Sequence, residues 1–129
     1  MLLGTYEHTI DDKNRLTLPA RFRESFAGGI VVKRGIERCL DAYRREDWVR
    51  LVESRLAPLD PLSKETRQLQ RYLYSGASEA ELDKQGRVMI PAQLLEHATL
   101  TREVVVLGIG DHLEIWDLDA WHRELAEVE

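Results

Sequence analysis

Two segments of the chain carry one arrangement of side chains. Asp11, Arg15, Pro19 and Ala20 stand in DDKNRLTLPA; Asp83, Arg87, Pro91 and Ala92 stand at the same spacing in DKQGRVMIPA. A carboxylate and a guanidinium four residues apart, across turn-forming residues, suit two tasks. The carboxylate can accept hydrogen bonds from turn amides or pair with the arginine, which assigns Asp11 and Asp83 to shaping the loops. The guanidinium can grip guanine through two parallel N–H groups, or bind phosphate, where a lysine would act only as a point charge. Arg15 is the leading candidate, since Lys13, Arg21 and Arg23 place four cations within eleven residues. Asn14 at the loop adds a polar group for base or phosphate. Arg87 ranks second because its surroundings are acidic.

Placing these residues is the task of the flanking elements. Thr5–Ile10 is rich in β-formers, and Asn14 and Gly86 supply residues that tolerate positive φ in the turns that follow. Arg15–Leu18 and Arg87–Ile90 read as brief strands. Pro19 and Pro91 lack a donor for a sheet ladder, so each strand is expected to stop there and the chain to turn away. Short helical turns over 20–26 and 92–98 come next. Strands at 30–33 and 104–107, a glycine-containing turn, and strands at 39–43 and 113–116 complete each unit. Helical spacing of Trp48, Leu51, Val52 and Leu56 predicts a helix over 45–56. Asp60-Pro61 predicts an N-cap and first helical residue for a second helix ending near Ser75-Gly76. Asp117 or Asp119 is expected to cap a last helix containing Trp121 and Leu125.

The match between the halves extends well past the motif. A shift of 72 residues takes Ile10 through Phe22 onto Leu82 through Leu94. A shift of 73, allowing one extra residue in the second copy, takes Val31, Val32, Gly35 and Ile36 onto Val104, Val105, Gly108 and Ile109, then Leu40, Asp41, Tyr43 and Trp48 onto Leu113, Glu114, Trp116 and Trp121. This is an internal duplication: a first repeat at 1–50, a connecting helical segment at 51–76 and a second repeat at 77–129, together forming one domain. The expected fold is α+β, with the hairpins of the two repeats interleaved into a single pseudo-symmetric β-barrel and helices at its periphery, an arrangement that hides strand edges. The matched aromatics Tyr43, Trp48 and Trp121 are read as packing residues rather than as a platform for stacking bases.

Composition narrows the function classes. The chain has 129 residues, 43% hydrophobic and 32% charged, as expected of an ordered domain. No apolar run approaches the roughly 20 residues that span a bilayer, and the N-terminus lacks the marks of a signal peptide. A lone cysteine, Cys39, forbids an internal disulfide and fits a reducing cytoplasm; it is read as a small buried hydrophobe. Net charge is −5, but residues 1–71 carry 14 Lys+Arg against 11 Asp+Glu, while residues 72–129 carry 4 against 12. A basic half therefore offers a local surface for phosphate despite the overall sign. The four histidines are scattered, with no HExxH, paired-cysteine or Walker pattern. Asp117, Asp119 and His122 resemble a metal cluster only superficially, and Gly108-x-Gly110 lacks the rest of a dinucleotide fingerprint. No metal, cofactor, small-molecule substrate or catalysis is expected.

The paired Asp-xxx-Arg-(Leu/Val)-xx-Pro-Ala phrases, with the opening MLLGTYEHTIDDKNRLTLPARFR and the central RYLYSGASEAELDKQGRVMIPAQL, resemble the MraZ family of bacterial transcriptional regulators along essentially the whole chain. The resemblance implies two tandem SpoVT-AbrB domains of swapped-hairpin type. It also implies a ring-shaped homo-oligomer and sequence-specific binding of double-stranded promoter DNA upstream of the cell-division and cell-wall genes, its own gene included. Repression, a cytoplasmic, nucleoid-associated location and short repeated DNA boxes belong to the same expectation. Arg15 and Arg87 take the place of the family's arginines, and Asp11 and Asp83 that of its aspartates. The alternative is an AbrB-type protein-interaction or antitoxin-like module; such proteins usually carry one hairpin unit per chain.

Overall fold

In each half of the chain, a strand, a turn, a short strand, a helical turn and a β-hairpin follow one another, and the halves complete each other's sheet. The computed structural model describes residues 1–129. The first half contains β1 (Leu2–Thr9), β2 (Arg15–Thr17), α1 (Ala20–Arg23) with a 3-10 turn at Glu24–Phe26, β3 (Ile30–Arg34), β4 (Leu40–Arg44) and α2 (Arg45–Leu56). After α3 (Lys64–Ser75), the order recurs as β5 (Ala77–Ala80), β6 (Arg87–Met89), α4 (Ala92–His97), β7 (Glu103–Gly110), β8 (Leu113–Asp117) and α5 (Leu118–Val128).

Six strands form an antiparallel sheet in the order β1-β7-β8-β4-β3-β5, and β2 pairs with β6 in a separate two-stranded ribbon. The sheet order is unchanged when the halves are exchanged. β1 pairs with β7 as β5 pairs with β3, and the pairs Asp41↔Glu114 and Leu16↔Val88 lie at the centres of exchange. The fold is thus α+β, and its hydrogen bonding shows an open sheet plus a ribbon, not one closed barrel. The outer edges β1 and β5 do not meet.

Alternation along the strands sends side chains to two faces. One face joins the inward side of the ribbon in the main core, where Leu16, Leu18, Val88 and Ile90 meet Ile30, Val32, Leu40, Val104, Val106 and Ile115. Phe22 and Phe26 close this core from α1 and its 3-10 turn, and Leu94 from α4. On the opposite face, α2 packs Trp48 and Val52 against Val31 and Tyr43. There, α5 lays Leu118 and Trp121 over Cys39, Val105, Leu107 and Trp116. Trp48 and Trp121 therefore pack on the sheet.

These pairings correct the alignment of the repeats. Val31 pairs with Tyr43 as Val105 pairs with Trp116, and both valines face the helices; Ile30 and Val104 face the main core. The shift is 74 residues through β3 and β7, and it returns to 73 at β4 and β8 because the β7–β8 turn is one residue shorter. A one-residue slip reverses every side chain's face, so the 73-residue match of Val31 with Val104 would have placed a helix-facing residue on a core-facing one. A second correction concerns α3. Its N-cap is Ser63, whose hydroxyl accepts from the Thr66 amide, while Asp60 accepts from the Leu62 amide in the preceding turn. Asp117 caps α5 through the Ala120 amide.

Candidate nucleic-acid interface

The ribbon's two faces differ sharply. Leu16 and Val88 point inward and are 0% and 1% exposed, while Arg15, Thr17, Arg87 and Met89 alternate with them on the outward side. Burial of the inward pair, about 1.5–3 kcal/mol for each such side chain, anchors a strand pair too short to persist alone. Arg15 stands opposite Met89, and Thr17 opposite Arg87. The two arginines are thus diagonal neighbours, with backbones roughly 7–8 Å apart.

Each arginine sits at the end of an identically wired loop. Asp11 Oδ1 accepts from the Lys13 amide at 2.9 Å and the Arg15 amide at 2.8 Å, while Oδ2 accepts from Arg15 Nε at 2.7 Å. Asp83 Oδ1 accepts from the Gln85 and Arg87 amides, both at 2.9 Å, and Oδ2 from Arg87 Nε at 2.7 Å. In each loop the Arg amide hydrogen bond, reinforced by its guanidinium, holds the carboxyl below its ordinary pKa, against a smaller opposing effect of desolvation. The Asn14 amide donates to the Asp11 carbonyl and the Gly86 amide to the Asp83 carbonyl, and both residues have positive φ, 61° and 76°. Because each aspartate engages only Nε, the Nη1 and Nη2 groups of both arginines have no hydrogen-bond partner within the chain.

The loops are joined to opposite ends of the ribbon. Leu18 donates its amide to the Gly86 carbonyl at 2.9 Å, and Ile90 donates to the Asn14 carbonyl at 2.9 Å. Beyond them, Pro19 and Pro91 end the extended segments and begin α1 and α4, accepting from the Phe22 and Leu94 amides. Lys13 is exposed at the first loop. Arg21 is exposed on α1 and reaches the Tyr6 hydroxyl at 3.3 Å. Arg23 points the other way along the ribbon. Its Nε donates to the Leu18 carbonyl at 3.0 Å, and its side chain lies so close to Gly86 that a Cβ there would come within 2.4 Å of Nε. The cations of the first repeat are thus divided: Lys13 and Arg15 at the first loop, Arg23 against the second. Arg87 consequently has Arg23 of the first repeat near its loop, in addition to Lys84 of its own half.

With that geometry in place, comparison with known proteins is direct. A family model described as "MraZ protein, putative antitoxin-like" matches the chain twice, over residues 1–72 and 73–129. The chain belongs to the MraZ family. The transcriptional regulator MraZ of Roseiflexus castenholzii is 46% identical over 129 residues, covering 100% of this chain and 90% of the relative. Proteins of the same name match from Limosilactobacillus fermentum, at 46% over 94% of this chain and 84% of the relative, and from Heliobacterium modesticaldum, at 45% over 95% and 85%.

Two residues of this MraZ chain's outward ribbon face escape a reading based on charge alone. Thr17 and Met89 occupy equivalent places in the two repeats, and Met89 is 62% exposed. The signal for both was present: each lies two residues beyond a motif arginine, on the same side of a strand. A further polar cluster lies away from the ribbon, where Asp41 and Glu114 face each other across β4 and β8. Like charges so placed repel. Lys33 Nζ meets Asp41 at 3.1 Å, and the Trp116 indole N–H donates to Glu114 at 2.8 Å. Burial raises the Asp41 pKa, while His112 lowers that of Glu114.

Proposed function

We propose that this chain regulates transcription by binding double-stranded promoter DNA with the outward face of its β2–β6 ribbon and the two loops at its ends. The observation that supports this most strongly is the orientation of Arg15 and Arg87: both stand on the outward side, each fixed by a carboxylate at Nε and unbonded at its two Nη groups. A two-stranded ribbon fits the ~12 Å major groove, and paired Nη donors match guanine O6 and N7. Asp11, Asp83, Gly86, Pro19 and Pro91 hold the loops in shape, and Lys13, Asn14, Arg21 and Arg23 add phosphate or base contacts. The exchange-symmetric pairing of the strands supports a swapped-hairpin arrangement of AbrB type.

One copy brings few cations, so its affinity is modest and sensitive to salt. A ring of copies engaging successive short boxes raises the effective concentration of each later contact. The family resemblance points to the promoter of the chain's own gene and the cell-division and cell-wall genes beside it, with repression as the outcome. Fluorescence anisotropy with that promoter and a scrambled duplex at equal salt tests the reading. The promoter should bind at least ~10³-fold more tightly, and an isolated box should bind more weakly than the array. Equal binding of promoter and scrambled duplex would overturn the proposal.

A further inference from the structure

We infer that Met89 is a specificity-determining residue: from the outward face of the ribbon it contacts the 5-methyl group of a thymine beside the guanine that Arg15 grips. This inference rests on the DNA-binding reading above and adds a second base to what the ribbon recognises.

Four side chains make up the outward face, Arg15 and Thr17 on β2 with Arg87 and Met89 on β6. The first three are partly buried, whereas Met89 is exposed. Its neighbours Val88 and Ile90 point inward and are fully buried, and Met89 belongs to none of the hydrophobic clusters of the fold. No packing within the chain therefore accounts for a large apolar side chain here. A single exposed apolar residue on an ordinary surface needs no explanation. Met89 differs in its position, because strand alternation aims it the same way as both arginines.

The ladder brings it against one of them. The Ile90 amide donates to the Asn14 carbonyl at one end of the ribbon, and the Leu18 amide to the Gly86 carbonyl at the other. Facing residues of an antiparallel pair alternate between hydrogen-bonded and non-hydrogen-bonded positions. Counting inward from both ends puts Arg15↔Met89 and Thr17↔Arg87 at the non-hydrogen-bonded positions. The Arg15 carbonyl accordingly turns away from β6 and accepts from the Asp11 amide. At such positions facing side chains come closest, with Cβ atoms near the lower end of ~4.5–5.5 Å. Wherever Arg15 reaches a base edge, Met89 is carried in beside it.

On the major-groove edges of the bases, the thymine methyl is the one apolar group. It is thus the one feature there that an aliphatic side chain can select. The unbranched, polarisable thioether of methionine adapts its shape to such a contact. Exchanging the halves about Leu16↔Val88 takes Arg15 onto Arg87 but Met89 onto Thr17, which is shorter and carries a hydroxyl. The two ends of the ribbon therefore offer the same guanidinium with different companions, and the thymine preference belongs to the Arg15 end.

The test is fluorescence anisotropy on the full-length chain with the promoter duplex, synthesised with thymine or with deoxyuridine, which pairs alike but lacks the methyl group. The wild type should bind the deoxyuridine duplex ~4-fold or more weakly, the worth of one methyl group withdrawn from water. Met89→Ser should bind the thymine duplex weaker by a similar factor and lose little more on the deoxyuridine duplex. Met89→Leu keeps an apolar side chain of similar reach and should behave as the wild type. Circular dichroism and solution mass should be unchanged in both variants, because residue 89 lies outside the core. No loss on deoxyuridine in the wild type, or an equal loss in the wild type and Met89→Ser, would overturn this inference while selectivity for the promoter stands. A changed mass of Met89→Ser would assign the side chain to a contact between copies and overturn it as well. A wild type that binds promoter and scrambled thymine duplexes equally would overturn the DNA-binding reading itself, and this inference with it.

Discussion

Replacing Arg15 separates a base-reading arginine from one that merely adds charge. The structure commits its Nε to Asp11 and leaves the two Nη groups for one bidentate contact. Such a contact discriminates its base by ~1–3 kcal/mol, or about 5- to 150-fold in affinity at each engaged box. With two boxes engaged by neighbouring copies, the losses add to ~2–6 kcal/mol when the sites are independent. Arg15→Ala should therefore lower affinity for the promoter by ~30-fold or more while leaving a scrambled duplex much less affected, so that the two curves converge. Arg15→Lys keeps the charge and loses the planar fork; it should keep the salt dependence of the wild type and still lose most of the discrimination. Anisotropy titrations of both duplexes at several salt concentrations give all of these quantities. Solution mass should be unchanged, because Arg15 stands on the outward face of the ribbon and its replacement leaves the packing of the core and helices untouched. Equal weakening on promoter and scrambled DNA would make Arg15 a phosphate contact. No weakening on either would refute the reasoning outright.

Gly86→Ala should destabilise the chain by ~1–2 kcal/mol and lower Tm by several degrees, since a Cβ at φ +76° is strained and meets the Arg23 side chain. At the matching position, Asn14→Gly should stay within ~1 kcal/mol of wild type, because that backbone already suits glycine; thermal melts compare the two. His112 has its pKa raised, first by its interaction with Glu114 and then by Asp111, against the effect of burial. Folding therefore favours its protonated form. That stabilisation is complete below the unfolded value of ~6.5 and is lost as pH rises through the higher folded one. His112→Gln should consequently melt further below wild type at pH ~6 than at pH ~9, and an equal gap at both would contradict this assignment.

Much of the architecture was legible because its signals are local. Pro19 and Pro91 end strands for lack of an N–H, and the two motifs, 72 residues apart, close turns with the same hydrogen bonds. The α2 helix showed itself through Trp48 and Val52. Register in β3 and β7 did not, because a run such as Val104-Val105-Val106 shows no alternation, and only the cross-strand partners reveal which valine faces the core. Asp60 and Ser63 are both good capping residues, and the choice between them depends on where the turn after α2 delivers the chain. That the sheet stays open, with β1 and β5 as its edges, leaves no mark on composition or spacing. Nor could spacing show Arg23 crossing to the second loop, a contact made between residues 63 positions apart. At the ribbon, charge pointed to Arg15 and Arg87 while passing over Thr17 and Met89, although strand alternation places all four on one side.

The most direct measurement is site-specific photocrosslinking to the promoter duplex, with a benzophenone side chain placed at Met89 and, as control, at His122 on α5. Binding through the ribbon predicts adducts to bases from position 89 and none from position 122. Adducts from position 122, with none from 89, would place the DNA on another surface.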